Sequence, residues 1–79
     1  MNDIMEKEEF LVNFADQFDE TDPSEITAET VFHKLDEWSS LTAMGVIALA
    51  KTRYGKTITG AELRECVTVE DVFNLIFSK

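Results

Sequence analysis

The sequence predicts an all-α fold, a bundle of three longer helices and one short third helix, with a long loop between helices one and two. Three observations carry this. Near the N-terminus Ile4, Leu11, Phe14 and Phe18 recur at helical spacing. Farther on, Thr59 with Glu62 and Thr68 with Asp71 have the form of capping boxes, which open helices. No segment shows the apolar/polar alternation of a strand between turn signals.

Each element follows from local chemistry. The first helix is expected to start on Asn2 or Asp3 as its cap, with Glu6 as a first-turn acid. Phe10, Val12 and Ala15 add to its apolar set, and it should stop near Asp19 to Thr21, ahead of the turn signal Asp22-Pro23-Ser24. From there to Ser39 the pattern is irregular, with Ile26, Val31, Phe32 and Leu35 as inward anchors. A connection this long inside a small domain is functional or holds a short helix of its own. The second helix should begin at Ser39 or Ser40 and run to about Tyr54, where Gly55 supplies a C-terminal stop. Leu41, Met44, Ile47, Ala48 and Leu49 fall on overlapping faces of it, and Val46 and Ala50 widen the apolar surface past half the circumference. Such a helix needs cover on more than one side, or keeps part of its surface for a partner or ligand. Residues 56–59 read as an extended connector. The Thr59 box, with Ile58 and Leu63 as its hydrophobic staple, opens a short third helix over residues 60–65. The Thr68 box, with Val67 and Val72 as its staple, opens a fourth over residues 69–77, buried along Val69, Val72, Phe73 and Ile76.

With 79 residues the chain fits one domain, 1–79, with a modest core. A barrel or a doubly wound nucleotide-binding domain does not fit. The longest run without charge, Trp38 to Ala50, is shorter than a membrane-spanning helix needs. Asp3, Glu6, Glu8 and Glu9 against Lys7 make the N-terminus the opposite of a signal peptide. A single cysteine, Cys66, permits no internal disulfide and no metal cage. A cytoplasmic location is therefore expected. Sixteen acids against seven bases give a net charge of −9, which excludes the basic footprint of a nucleic-acid binder and favours a monomer. Residues 1–39 carry twelve acids and two bases, a charge of −10; residues 40–79 carry four acids and five bases, a charge of +1. The acidic half either keeps the protein soluble or steers basic partner proteins.

Catalytic chemistry is sparse. His33, the sole histidine, reads as an exposed or half-buried loop residue, and Cys66 as a small core residue. Asp36 and Glu37 are adjacent and read as a solvated pair. The place with chemical promise is Ser39-Ser40-Leu41, at a helix start after a long loop. Unpaired N–H groups and a partial positive charge at a helix start favour a phosphate on a serine there.

The stretch Phe32-His33-Lys34-Leu35-Asp36-Glu37-Trp38-Ser39-Ser40-Leu41 resembles the signature of acyl carrier proteins. In that family a phenylalanine stands eight residues before the serine of an Asp-Ser-Leu motif that opens the second helix, often in a Glu-Trp-Asp-Ser-Leu version. The likeness continues through Tyr54-Gly55, Ile58 and Thr68-Val69-Glu70-Asp71, most specifically over residues 31–76. It implies the family's four-helix fold and a 4′-phosphopantetheine group on Ser40, donated by coenzyme A through a phosphopantetheinyl transferase. The arm's thiol would hold acyl or aminoacyl cargo as a thioester, so the chain would be a carrier, not an enzyme. Its implied partners are that transferase, an acyl-loading ligase, and acyltransferase or synthase enzymes.

This chain departs from the family pattern at two places. The usual aspartate is Ser39, an equivalent cap without the charge, which also makes Ser39 a conceivable attachment site. From Leu41 to Tyr54 there is no acid, where fatty-acid carriers are rich in glutamate, and Lys51 and Arg53 are basic. Docking is therefore expected to use Leu41, Met44 and Ala48, with Asp36, Glu37 and Trp38 nearby, and to serve a specialised biosynthetic pathway. Phe32, Ile47, Ala50, Ile58, Leu63, Cys66 and Val72 match positions that can line an acyl cleft between the second and third helices, or serve as ordinary core. The alternative function is an unmodified helical adaptor of the same fold that only binds partner proteins.

Overall fold

A computed structural model describes residues 3–79, with side chains from Glu6 onward. The expected cap at Asn2 lies outside the described residues, as do the side chains of Asp3 and Ile4. Four α-helices follow one another: α1 (Asp3–Ala15), α2 (Ser40–Tyr54), α3 (Gly60–Glu65) and α4 (Val69–Phe77). α1 packs on α2 and α4, and α2 packs on α3. Among the described residues there is no strand, and no helix is long and apolar enough to cross a membrane.

α1 ends at Ala15, several residues short of the expected stop, because its last turn tightens. The Gln17 N–H donates to the Phe14 carbonyl (3.1 Å) and the Phe18 N–H to that of Ala15 (3.0 Å), both three-residue steps. Phe18 is nonetheless buried, which is why its spacing reads as one more helical turn. Val12 does not join the core; it is 62% exposed.

The connection over residues 16–39 contains two 3₁₀ turns, Pro23–Glu25 and Phe32–Lys34. Asp22 caps the first by accepting the Ser24 N–H at 2.9 Å. Ile26 and Phe32 sink into the core, while Leu35 packs against it half-buried. The connection also reaches α4, whose first two N–H groups, on Val69 and Glu70, donate to the carbonyls of Thr30 (3.1 Å) and Ala28 (2.9 Å). These bonds satisfy donors that a helix start leaves free.

α2 begins and ends as its sequence predicts. Ser39 is the cap, and Gly55 adopts the left-handed conformation (φ 65°) with its N–H shared between the carbonyls of Ala50 and Lys51. Its buried stripe is Thr42, Val46, Leu49 and Ala50. Leu41, at 79% exposure, and Met44, at 65%, stand outside the core with exposed Ala48. Both capping boxes are complete, Thr59 with Glu62 and Thr68 with Asp71. The Ile58 and Leu63 staple residues are buried, whereas Val67 is 55% exposed and does not serve as one for α4.

Aromatic rings form the centre of the bundle. Phe14 neighbours four of them: Phe10 (5.9 Å between centroids), Phe18 (5.7 Å), Phe32 (5.8 Å, edge-on) and Trp38 (6.5 Å, stacked). Phe10 carries the contact on to Phe73 of α4 (5.6 Å). The one buried side-chain amide among the described residues, Asn13, donates to the Tyr54 hydroxyl at 2.9 Å and so ties α1 to the end of α2.

Phe14→Ala should cost about 3–5 kcal/mol, the usual penalty for emptying a buried aromatic site. Against the roughly 5–15 kcal/mol total of a small domain, urea denaturation should show a large fraction of the stability gone, as a lower midpoint.

Candidate functional site

Residues 37–42 are fixed by a short series of bonds. Ser39 is extended (φ −152°, ψ 177°), and its carbonyl accepts the Ala43 N–H at 2.9 Å. Its hydroxyl accepts the Thr42 N–H at 3.4 Å. The buried Thr42 hydroxyl donates to the Glu37 carbonyl at 3.0 Å, so it stitches the helix start to the residue before Trp38. Thr42 was not legible as a site residue, because a threonine inside an apolar helix reads as filler. Ser40, the first residue of α2, is exposed. No first-turn acid offsets the positive end of the helix beside it, while Lys51 and Arg53 match the negative end.

A groove of about 430 Å³ opens next to Ser40 between α2 and α3. Trp38, Ala43, Met44 and Ile47 line it from the α2 side, and Gly60, Leu63 and Arg64 from α3. His33, Ser39 and Ser40 complete its lining, which contains no carboxylate in a chain of net charge −9. Of the seven residues matched to an acyl cleft, only Ile47 and Leu63 line this groove. Phe32, Ala50, Ile58, Cys66 and Val72 are instead core packing, each 8% exposed or less. Gly60 and Arg64 were missed, since the third helix was read for its cap and staple and not for the face it turns to α2.

The expected docking residues divide between two surfaces. Trp38 and Met44 line the groove, and Leu41 and Ala48 are exposed on α2. Asp36 and Glu37 line a different hollow of about 520 Å³, acidic in character, together with Glu20, Glu25 and Lys34. Glu37 is not a free solvated carboxylate. It accepts the N–H groups of Asp19 (2.6 Å), Glu20 (3.0 Å) and Thr21 (2.8 Å), and the Thr21 hydroxyl at 2.7 Å. The Thr21 hydroxyl foremost, with these backbone donors, holds its carboxyl below the ordinary glutamate value, burial opposing the effect.

His33 is exposed but tethered. Its Nε2 lies 3.0 Å from the Cys66 carbonyl oxygen and, since a carbonyl only accepts, carries the hydrogen. The ring also lies on Phe32, with centroids 4.2 Å apart. Cys66 is buried; burial first, then the charges of Asp71, Glu62 and Glu65, push its thiol up and away from the reactive thiolate form. Among the described residues no group of three or more histidine, cysteine, aspartate or glutamate side chains could hold a metal ion.

Because the Glu37 carboxyl is depressed in the folded state, its stabilising effect is full above the ordinary glutamate value of 4.5. It fades as pH falls through the lower folded value. Glu37→Gln should therefore lower the thermal midpoint at neutral pH and flatten its acid-side decline, as read by thermal melts from pH 7 downwards. Equal slopes for variant and wild type would show that Glu37 does not act as a folded-state anion.

Comparison with family models, with curated proteins and with solved structures gives no match for this chain.

Proposed function

We propose that the chain is a carrier protein modified on Ser40 with 4′-phosphopantetheine, the function its resemblance to acyl carrier proteins implies. The observation that carries the reading is the position of Ser40: exposed, first in α2, and at the edge of an apolar groove. The residues present fit the group. The hydroxyl is open to a transferase, the positive end of α2 favours a phosphodiester beside it, and the groove offers Ala43, Met44, Ile47 and Leu63 to a carbon chain. When bound, the group would supply a thiol that holds acyl or aminoacyl cargo as a thioester.

The chain's own contribution is presentation. In the attachment step the Ser40 oxygen would bond to the phosphorus of coenzyme A that bears the pantetheine. The adenine nucleotide would leave, and the hydroxyl proton would pass to the transferase. Ser39 holds the helix start without bearing the charge that a transferase adapted to Asp-Ser-Leu would meet. The exposed apolar side chains of Leu41 and Met44 lie where that enzyme and the later ligase or synthase would approach Ser40.

Intact mass after incubation with coenzyme A and a broad-specificity phosphopantetheinyl transferase tests the reading. Wild type should gain one phosphopantetheine and Ser40→Ala none. A gain that persists in Ser40→Ala would move the attachment to Ser39. Wild type unmodified both by this enzyme and on purification from its native cell would leave an adaptor that only binds partners.

A Ser39→Asp variant should keep the α2 start, since serine and aspartate are near-equal caps, and be modified severalfold faster in a time course with the same enzyme. An unchanged rate would show that the transferase does not read this position.

A further inference from the structure

We propose that Arg64 is an anion-binding residue of the Ser40 groove, poised to pair with the phosphate beside Ser40 or with a carboxylate at the far end of a cargo. The inference deepens the carrier reading and rests on it for the identity of the arm. Arg64 is the one permanently charged side chain in the groove lining.

The guanidinium enters no ion pair or hydrogen bond among the described residues. Among the described residues the two ion pairs are Lys7 with Glu70 and Lys79 with Glu62, and Arg64 enters neither. One turn back on α3 stand Gly60 and Ala61, which cannot pair with it. Of the nearby acids, Glu65 is the next residue along α3, does not face it and forms no ion pair with it, and the other two are committed elsewhere. Glu62 binds Lys79 and the Thr59 N–H, and Asp71 binds the N–H groups of Val67 and Thr68. The side chain runs back over the start of α3, where its Nη1 comes within 3.9 Å of the point a Cβ on Gly60 would occupy.

The electrostatic argument concerns the whole chain. A protein of charge −9 repels an anionic arm or cargo at long range. A groove meant for a neutral chain needs no cation, and an unpaired arginine in its wall gains nothing from the fold. A groove that receives a phosphate or carboxylate needs one, and the planar fork of arginine matches either anion through two parallel hydrogen bonds. Trp38, Met44, Ile47 and Leu63 then bury the carbon chain between the anchor and the anion.

The test avoids any transferase. Ser40→Cys is alkylated with iodoacetamide reagents whose tails end in a phosphate close to the linkage, in a carboxylate on a longer chain, or in methyl groups at both lengths. The thiolate displaces iodide and forms a carbon–sulfur bond, while Cys66, buried and with its thiol pushed up, stays unlabelled. The readout is the Nε–H resonance of Arg64 by NMR, with Arg53, the chain's other arginine, as internal control. An anionic tail should shift the Arg64 resonance where the methyl tail of equal length does not, and added salt should reduce the shift. Arg64→Gln identifies the resonance by its loss.

A response to the phosphate tail alone assigns the arm's own phosphate, a response to the carboxylate alone assigns the cargo, and a response to both assigns a general anion site. Identical spectra for anionic and methyl tails would overturn the proposal. Failure of the carrier reading is distinguishable, because it would appear as absent modification of wild type while these conjugates still respond.

Discussion

Twenty-four residues separate α1 from α2, and only two short 3₁₀ turns supply partners to their backbone polar groups from within. Glu37 resolves the hardest part. Its carboxylate gathers the N–H groups of Asp19, Glu20 and Thr21, and its own carbonyl receives the Thr42 hydroxyl. One residue therefore closes the exit from α1 and fastens the entry to α2. Ser39 and Ser40 lie between those two attachments and inherit their position from them. The same bonds keep α1 from resuming after its tightened last turn, since N–H groups held by a carboxylate cannot continue a helical ladder.

The second support for the site is aromatic. A path of rings runs from Phe73 through Phe10 and Phe14 to Trp38, immediately before the serine pair. Phe32, eight residues before Ser40, meets Trp38 edge-on at 4.7 Å. The apolar core of the whole bundle thus ends one residue from the candidate site. A polar tip on a rigid aromatic base is an effective way to hold an exposed hydroxyl in place without burying it.

Helix identities, the bounds of α2, α3 and α4, and both capping boxes were legible because each depends on residues within four positions of one another. The end of α1 was not, because Glu37 acts on it from sixteen to eighteen residues away. The groove lining was legible only in part, for a related reason. Periodicity marks apolar residues as inward, but Phe32, Ala50, Ile58, Cys66 and Val72 share that mark with Ile47 and Leu63. Which of them face a groove is decided by the angle between α2 and α3. Arg64 carried no local signal at all; its isolation becomes visible only when the commitments of Glu62 and Asp71 are known.

The bonds from Val69 and Glu70 back to Thr30 and Ala28 have a dynamic consequence. The last helix begins on a segment that precedes it by some forty residues, and that segment has no ladder of its own. Neither can open alone: lifting the connection uncovers the first donors of α4, and fraying α4 removes the acceptors' partners in the connection. Amide protons in these two distant stretches should exchange with solvent in a single step, as one cooperative unit that includes the turn leading into Phe32. The bundle is in this sense two pieces, an α2–α3 piece that carries the groove and a second piece, the connection with α4, that clasps it.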